Sequence, residues 1–284
     1  MKFYRIIESL IKKKYYLKYN TKNQNLKKAF LSAEYNSQTN QEYIFSNERI
    51  CFVLKNNEEI SKRIFIDGKF DFEVLKKGLK YIGKKKRKYL INIGAHVGTT
   101  LIPAIKNKLF TNYIAFEPSI YNFRLLTANV NINKIEINGK LFNLALSNKV
   151  SKGYLKKFDL NNSGDYRLTK KNNKSEEVKL NVLDNFTNKI NKKNSLIYID
   201  AQGHEPEIFK GGQKTLKKKI PIIFELMPSI MTKKNPTFLF NLIKHYDYLT
   251  DLKGSNLLKM NLENFLKIYK DYKKNGSYTD LMIF

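Results

Sequence analysis

The stretch INIGAHVGTT at residues 91–100, with YIAFEPS at 113–119, decides how this chain is read. A short β-rich apolar run ends in Gly94, turns through Ala95, His96 and Val97, and reaches Gly98 where a helical segment begins. Glycines at such a turn let the backbone come close to a ligand, and free N–H groups at a helix start suit a carboxylate or a phosphate. Glu117 stands 23 residues after Gly94, at the tip of the next apolar run. That is near the interval of about 20 residues at which an acidic side chain takes a ribose diol in nucleotide-binding folds. The two stretches together describe a nucleoside pocket. Their GxxxG spacing is not the GxGxxG fingerprint, which weakens a dehydrogenase reading.

Working outward, apolar runs at 89–93, 113–116, 141–146, 196–199 and 220–224 alternate with helix-like segments at 99–108, 120–131, 206–218 and 237–245. This alternation is the signature of βα units around a parallel sheet. The runs end in polar or glycine residues, Gly94, Glu117, Asp200 and Glu225 among them, and ligands in open α/β sheets bind beyond the carboxyl ends of the strands. Residues 147–193 break the alternation with extended segments around the turn region NNSGDYRL, read as an inserted antiparallel hairpin. Runs at 248–252 and 278–284 complete a seven-stranded, mostly parallel sheet with an antiparallel edge strand. The fold class expected is therefore α/β, one mostly parallel-sheet domain over residues 89–284. An extension over 1–88 precedes it, with a basic helix, strand-like EYIFSN and ICFVLK, and a helix around 72–82. The KKKRK run at 84–88 directly precedes a buried strand and reads as a solvated turn rather than a targeting patch.

Composition narrows the classes. At 42% hydrophobic and 13% aromatic residues, the 284-residue chain is neither collagen-like nor generally disordered. Cys51 is the only cysteine, which excludes intramolecular disulfides and Cys-rich zinc sites. His96, His204 and His245 show no HExxH spacing, so no metal site is expected. Lys and Arg number 53 against 25 Asp and Glu, a net charge of +28. Only six of the 53 are arginine, the residue that base-reading proteins favour. Lys, Asn, Ile and Tyr are abundant together, so the charge reads as compositional bias, with a nucleic-acid footprint as the alternative. No run reaches the roughly 18 apolar residues of a membrane helix. Glu8, Lys12, Lys13 and Lys14 interrupt any signal-peptide core, and the expected location is cytoplasmic. Phe3, Ile6, Ile7, Leu10 and Ile11 share one side of the N-terminal helix. It is either docked on its own domain or a basic interfacial helix in peripheral contact with an anionic membrane.

In order along the chain, INIGAHVGTT, AFEPS with LLTANVNIN, NLALSN, VLDNF and IYIDAQGHEPEIFKGG resemble the motif series of FkbM-type S-adenosylmethionine-dependent methyltransferases, over residues 89–225. The resemblance implies a Rossmann-like class I methyltransferase fold that O-methylates sugars or related metabolites in glycan and natural-product pathways. It implies Gly94, Ala95, His96 and Gly98 around the methionine part of S-adenosyl-L-methionine, Glu117 on its ribose, and Leu144 and Ala145 beside its adenine. Asn92, Thr99, Pro118, Ser119 and Gln202 belong to the same implied cofactor set, and residues 200–205 would face the methyl donor. The chain departs from the family where Asn92 replaces an Asp and His96 an Asn. Its DxEGxE pattern reads Asp200, Gln202, Gly203, Glu205, which makes a carboxylate metal site less attractive.

Methyl transfer from a sulfonium is an in-line displacement in which alignment supplies much of the catalysis. A hydroxyl acceptor also gains from proton removal, and Asp200 and His204 are the candidate bases, with Glu205 third. Each has a structural alternative: Asp200 as a loop cap, His204 as a packed ring, Glu205 and Glu207 as complements to a helix start. Glu225 either defines the acceptor pocket or is structural, and His245 is read as structural. The acceptor expected is a small molecule or glycan, in a pocket built from 147–193, the N-terminal extension and the C-terminal segments. Two other functions stay open: an RNA-directed ribose methyltransferase, and a cofactor-binding protein without turnover. Base methylation is disfavoured, since no [ND]PP[YF] motif follows the fourth strand and Cys51 lies outside the catalytic domain.

Overall fold

The computed structural model describes residues 28, 31–32, 35, 42–46, 50–55, 58–83, 87–159, 161–188, 190–231, 236–254 and 256–284. The basic N-terminal helix and Lys84, Lys85 and Lys86 of the KKKRK run lie outside these residues.

The central sheet is built from β3 (Arg87–Ile93), β4 (Phe110–Phe116), β5 (Gly139–Phe142), β10 (Ser195–Ile199), β11 (Ile222–Leu226), β12 (Tyr248–Asp251), β13 (Leu257–Lys259) and β14 (Thr279–Ile283). Their order is β13-β12-β14-β11-β10-β3-β4-β5. From β11 to β5 every neighbouring pair is parallel, whereas β14 runs antiparallel to both β11 and β12. The sheet is thus mixed and eight-stranded, not the expected seven. The antiparallel strand β14 lies inside it, and β12 and β13 extend the sheet beyond it. The three residues of β13 sit among polar neighbours and carry no readable alternation.

Strands β10 and β11 are buried at every position, as parallel strands covered on both faces must be. Along β10, Leu196 and Tyr198 join one core cluster and Ile197 and Ile199 the other, the period-two alternation of a strand. On the first face lie α1 (Glu59–Asp67), α2 (Phe72–Tyr81), α3 (Leu101–Lys106) and α4 (Ile120–Ile132); on the second lie α5 (Glu205–Lys210), α6 (Gln213–Lys217), α7 (Pro236–Ile243) and α8 (Leu262–Lys274). The single helix expected over 206–218 is two, divided at Gly211 and Gly212.

A second sheet, ordered β6-β9-β7-β8, contains β6 (Ala145–Leu146), β7 (Ser151–Lys157), β8 (Tyr166–Thr169) and β9 (Glu176–Asn181). Its β7–β8 pair is the inserted antiparallel hairpin, with Leu155 opposite Leu168. The run expected as one strand over 141–146 divides between the sheets. Asn143 donates its side-chain amide to the carbonyls of Glu117 and Pro118, at 2.9 and 3.0 Å, and turns the chain there.

Before β3, strand β1 (Glu42–Ser46) pairs antiparallel with β2 (Cys51–Lys55). Phe52 and Leu54 of β2, Ile60 and Ile64 of α1, and Leu75 of α2 are buried in the same cluster as Leu90, Ala115 and Tyr198 of the central sheet. Arg87 corrects the reading of 84–88 as a solvated turn. It opens β3 at 7% exposure. Its guanidinium donates to the carbonyls of Ile82, Lys192 and Ser195, the fork of donors that lets an arginine be buried among backbone acceptors. Among the described residues, no helix is long and apolar enough to cross a membrane.

Candidate active site

At the carboxyl ends of β3, β4 and β10 a cleft opens, the place where ligands bind in open α/β sheets. Its floor begins where β3 stops. The N–H groups of Gly94 and Ala95 both donate to the Phe116 carbonyl, at 3.0 and 2.9 Å, and the Asp200 N–H donates to Ile93 at 2.9 Å. Gly94 has φ +76°, and a Cβ there would lie 1.8 Å from the Asp200 carbonyl oxygen. Only glycine permits both the left-handed backbone and the approach. Gly98, at φ +96°, packs against Ile102 and Leu126 and does not line the cleft. Asn92, Ala95, His96 and Thr99 do.

Glu117 ends β4 at 4% exposure, with one carboxylate oxygen accepting from the His96 N–H at 2.8 Å and the other from the Ser119 N–H at 2.9 Å. Each oxygen keeps a further lone pair for a ligand hydroxyl. Burial pushes the acid up to about 7, against the opposing pull of those two N–H groups. Pro118 lines the cleft, whereas Ser119 is fully buried behind it. Leu144 and Ala145, after β5, form an apolar wall.

His96 is held at φ +51°. Its Nε2 meets the Ser163 hydroxyl at 2.5 Å, and burial pushes the imidazole down to about 3, so the ring is neutral. Ser163 belongs to the β7–β8 turn, and Asn122 of α4 donates to its carbonyl at 2.9 Å. With Gly164 and Tyr166, Ser163 closes one side of the cleft. The inserted sheet therefore contributes a wall.

The loop after β10 brings Asp200, Gln202 and His204 to the cleft. Gln202 donates its amide to Asp200 at 2.7 Å and to Glu225 at 3.1 Å. Burial raises the Asp200 carboxyl above its ordinary range. His204 Nε2 is 2.9 Å from the Ser147 hydroxyl. Glu205 is not on the cleft: fully buried, it accepts from the Ala201 N–H at 2.9 Å, and burial pushes it up to about 8. It caps the loop from inside. Asn92 is 1% exposed, and its carboxamide oxygen has no partner.

The structure adds residues that sequence reasoning missed. Asp71, Ser163, Tyr166 and Tyr198 also line the cleft, and Asp280 lies opposite Glu225 in the β11–β14 register. One of these was visible in principle: an acid inside an apolar strand, as in TDLMIF around Asp280, is a signal on its own, as FEL around Glu225 already was. Asp71, Ser163 and Tyr166 arrive from other segments and leave no local trace.

The model of the methyltransferase FkbM domain matches residues 92–250. No curated protein matches the chain. Among solved structures, the chain is similar to methyltransferase FkbM from Methylobacillus flagellatus KT, with 12% identity over 70% of this chain and a TM-score of 0.43. It spans 44% of that protein's chain. It is also similar to StiE O-MT residues 942–1257, at 9% identity, 78% and 75% coverage of the two chains and a TM-score of 0.45. A third likeness is to M. jannaschii TYW2 in complex with AdoMet, at 12% identity, 87% and 86% coverage and a TM-score of 0.41.

Proposed function

Since the chain belongs to the FkbM methyltransferase family, whose methyl donor is S-adenosylmethionine, we propose that it methylates a hydroxyl oxygen of a sugar, glycan or related small metabolite. The observation that carries this reading is the meeting of Asn92, Glu117 and Asp200 in one cleft at the carboxyl ends of β3, β4 and β10.

The residues present fit that donor. The unpartnered, buried carboxamide oxygen of Asn92 awaits a donor such as the ammonium of a methionine moiety, and an orphaned acceptor of this kind is costly unless a ligand satisfies it. Glu117 keeps lone pairs for a ribose diol, and Leu144 and Ala145 offer an apolar face to an adenine. When bound, the donor supplies a methyl group on a sulfonium, whose carbon–sulfur bond breaks toward sulfur as the acceptor oxygen attacks.

The chain's own residues align the acceptor and take its proton. Asp200 is the base: it lines the cleft, and burial raises it toward the pH at which proton transfer is most effective. Gln202 fixes its orientation through the 2.7 Å hydrogen bond. His204, engaged with Ser147, and Glu205, turned inward to Ala201, hold the loop rather than move the proton. Ser163 and Tyr166, from the β7–β8 region, line one wall of the site.

Calorimetric titration with S-adenosylmethionine and S-adenosylhomocysteine tests the reading. Saturable binding of both, weakened at least about tenfold by Glu117→Ala, is expected. A protein that binds neither would overturn it.

A further inference from the structure

In a chain with 53 Lys and Arg to 25 Asp and Glu, acids gather at one side of the cleft: Asp71 and Asp200 line it, and Glu225 and Asp280 neighbour them. Four carboxylates converge there from separate elements. Sheet register sets Glu225 of β11 opposite Asp280 of β14. The Gln202 amide donates to both Asp200 and Glu225, so these acids lie within reach of one nitrogen. Asp71, immediately before α2, lines the same cleft as Asp200. Burial first, and the neighbouring Asp200 charge second, push Asp71 up to about 8 and Asp280 up to about 7. Arg63, Lys77 and Lys253 act on them through space. Among the described residues, however, no Lys, Arg or His forms an ion pair with any of the four.

A second observation points into the same place. Tyr198 of β10 is 4% exposed, lines the cleft and feels the charge of all four acids. Among the described residues its hydroxyl has no hydrogen-bond partner. A hydroxyl that faces the cleft without a protein partner can both accept from and donate to a ligand.

Strand spacing separates this corner from the cofactor cradle. Gly94 follows β3, while β11 and β14 lie two and three strands away. At about 4.8 Å per strand, Glu225 and Asp280 stand on the order of 10 and 14 Å from it. That is the acceptor's side.

We infer that this corner binds a cationic group, and that the hydroxyl compound methylated here carries a protonated amine, held by Asp71, Glu225 and Asp280 while Asp200 faces the hydroxyl. This deepens the proposed function and rests on it for the identity of the acceptor. A polyanion such as an RNA backbone would meet acids here and no ion-paired cation among the described residues. A divalent cation suits it less, because the Gln202 amide already occupies oxygens of Asp200 and Glu225. The described residues also contain no group of three or more ligands with metal-holding geometry.

The test uses pairs of probes that differ only in charge at one nitrogen: ethanolamine, 2-amino-1,3-propanediol and glucosamine, each with its N-acetyl derivative. They are titrated into the full chain alone and into the chain saturated with S-adenosylhomocysteine, with magnesium chloride as a further titrant. At least one amine is expected to bind about tenfold or more tighter than its acetylated form. Asp280→Asn and Glu225→Gln, checked for cooperative melting, are each expected to weaken that amine about fivefold or more, with S-adenosylhomocysteine affinity within about twofold of the parent. Equal binding of amine and amide, no binding of any amine, or magnesium displacing the amine would overturn the inference. Amine preference in a protein that does not bind S-adenosylhomocysteine would leave the cation site standing and remove the methyltransferase reading. Cofactor binding without amine preference would do the reverse.

Discussion

The carbonyl oxygen of Asp200 fills the space that a side chain on Gly94 would need, 1.8 Å from where its Cβ would stand. The end of β3 and the end of β10 are therefore locked together by an absence of atoms, and the loop bearing the proposed base is placed by the loop bearing the cofactor cradle. Gly94→Ala forces backbone against backbone and puts an L side chain at φ +76°. A loss of about 2 kcal/mol or more is expected in urea denaturation, together with lost S-adenosylmethionine binding. A variant as stable as the parent would mean the two loops do not meet in this way.

Glu117 has two tasks that separate by substitution. Its carboxylate satisfies the N–H groups of His96 and Ser119, so Glu117→Ala leaves two buried donors open and costs about 1–3 kcal/mol. Glu117→Gln keeps an acceptor and stays within about 1 kcal/mol. Both variants should bind S-adenosylmethionine at least about tenfold more weakly, because a charge-assisted bond to the ribose is gone. Unchanged affinity in folded Glu117→Gln would remove the ribose assignment.

Asp200→Asn keeps the shape and the contact with Gln202 while removing the proton acceptor. Turnover should fall about 10²- to 10⁴-fold, with the S-adenosylmethionine dissociation constant within about threefold of the parent. If affinity falls as far as turnover, Asp200 binds the cofactor and is not the base.

Buried acids give the free protein a definite pH dependence. Glu117 and Asp280 are pushed up to about 7, and Glu205 and Asp71 to about 8, in each case first by burial. In the unfolded chain these groups ionise near 4 to 4.5, so across the interval up to about 8 the folded protein holds protons that the unfolded chain has released. Stability then falls as pH rises. His96, pushed down to about 3, has the opposite sign, but its contribution is complete above about 6.5. From pH 6.5 to 8.5 the melting temperature should therefore drop, and Asp71→Asn and Asp280→Asn should each flatten the slope. A melting temperature that rises over this interval would contradict the burial of these acids.

What the sequence made legible is what a local pattern can carry. Runs that are apolar throughout, such as SLIYI of β10, belong to strands covered on both faces, and Gly94, Glu117 and Asp200 stand at the ends of such runs. Contacts between distant segments leave no such trace. The division of 141–146 between two sheets depends on Asn143 reaching back to Glu117 and Pro118. Strand order placed β14 inside the sheet through its pairing with β11, which periodicity cannot foresee. Arg87 is buried only because the carbonyls of Lys192 and Ser195 arrive from about a hundred residues away.

The LLTANVNIN segment hides a further device of this kind. Asn129 of α4 and Asn133, which caps its C-terminus, lie one turn apart and face β2 with their carboxamides. Asn129 accepts from the Val53 N–H at 2.6 Å and donates to the Val53 carbonyl at 3.2 Å and the Val97 carbonyl at 2.9 Å. Asn133 accepts from the Cys51 N–H at 3.0 Å and donates to its carbonyl at 2.6 Å. A carboxamide offers one acceptor and two donors in a plane, as a peptide group does, so the two side chains complete the free edge of β2 as a neighbouring strand would. Asn129 also holds the cofactor loop through Val97, which ties the N-terminal strand to the cleft. Asn129→Leu, similar in volume and unable to hydrogen-bond, leaves the Val53 N–H and carbonyl and the buried Val97 carbonyl without their partner and should cost about 2 kcal/mol or more. It should also expose residues around β2 to limited proteolysis. Asn131, exposed on the same helix, provides the control: Asn131→Ala should stay within about 0.5 kcal/mol. Equal effects at 129 and 131 would mean that β2 is held by apolar packing alone and that the paired asparagines contribute nothing to its edge.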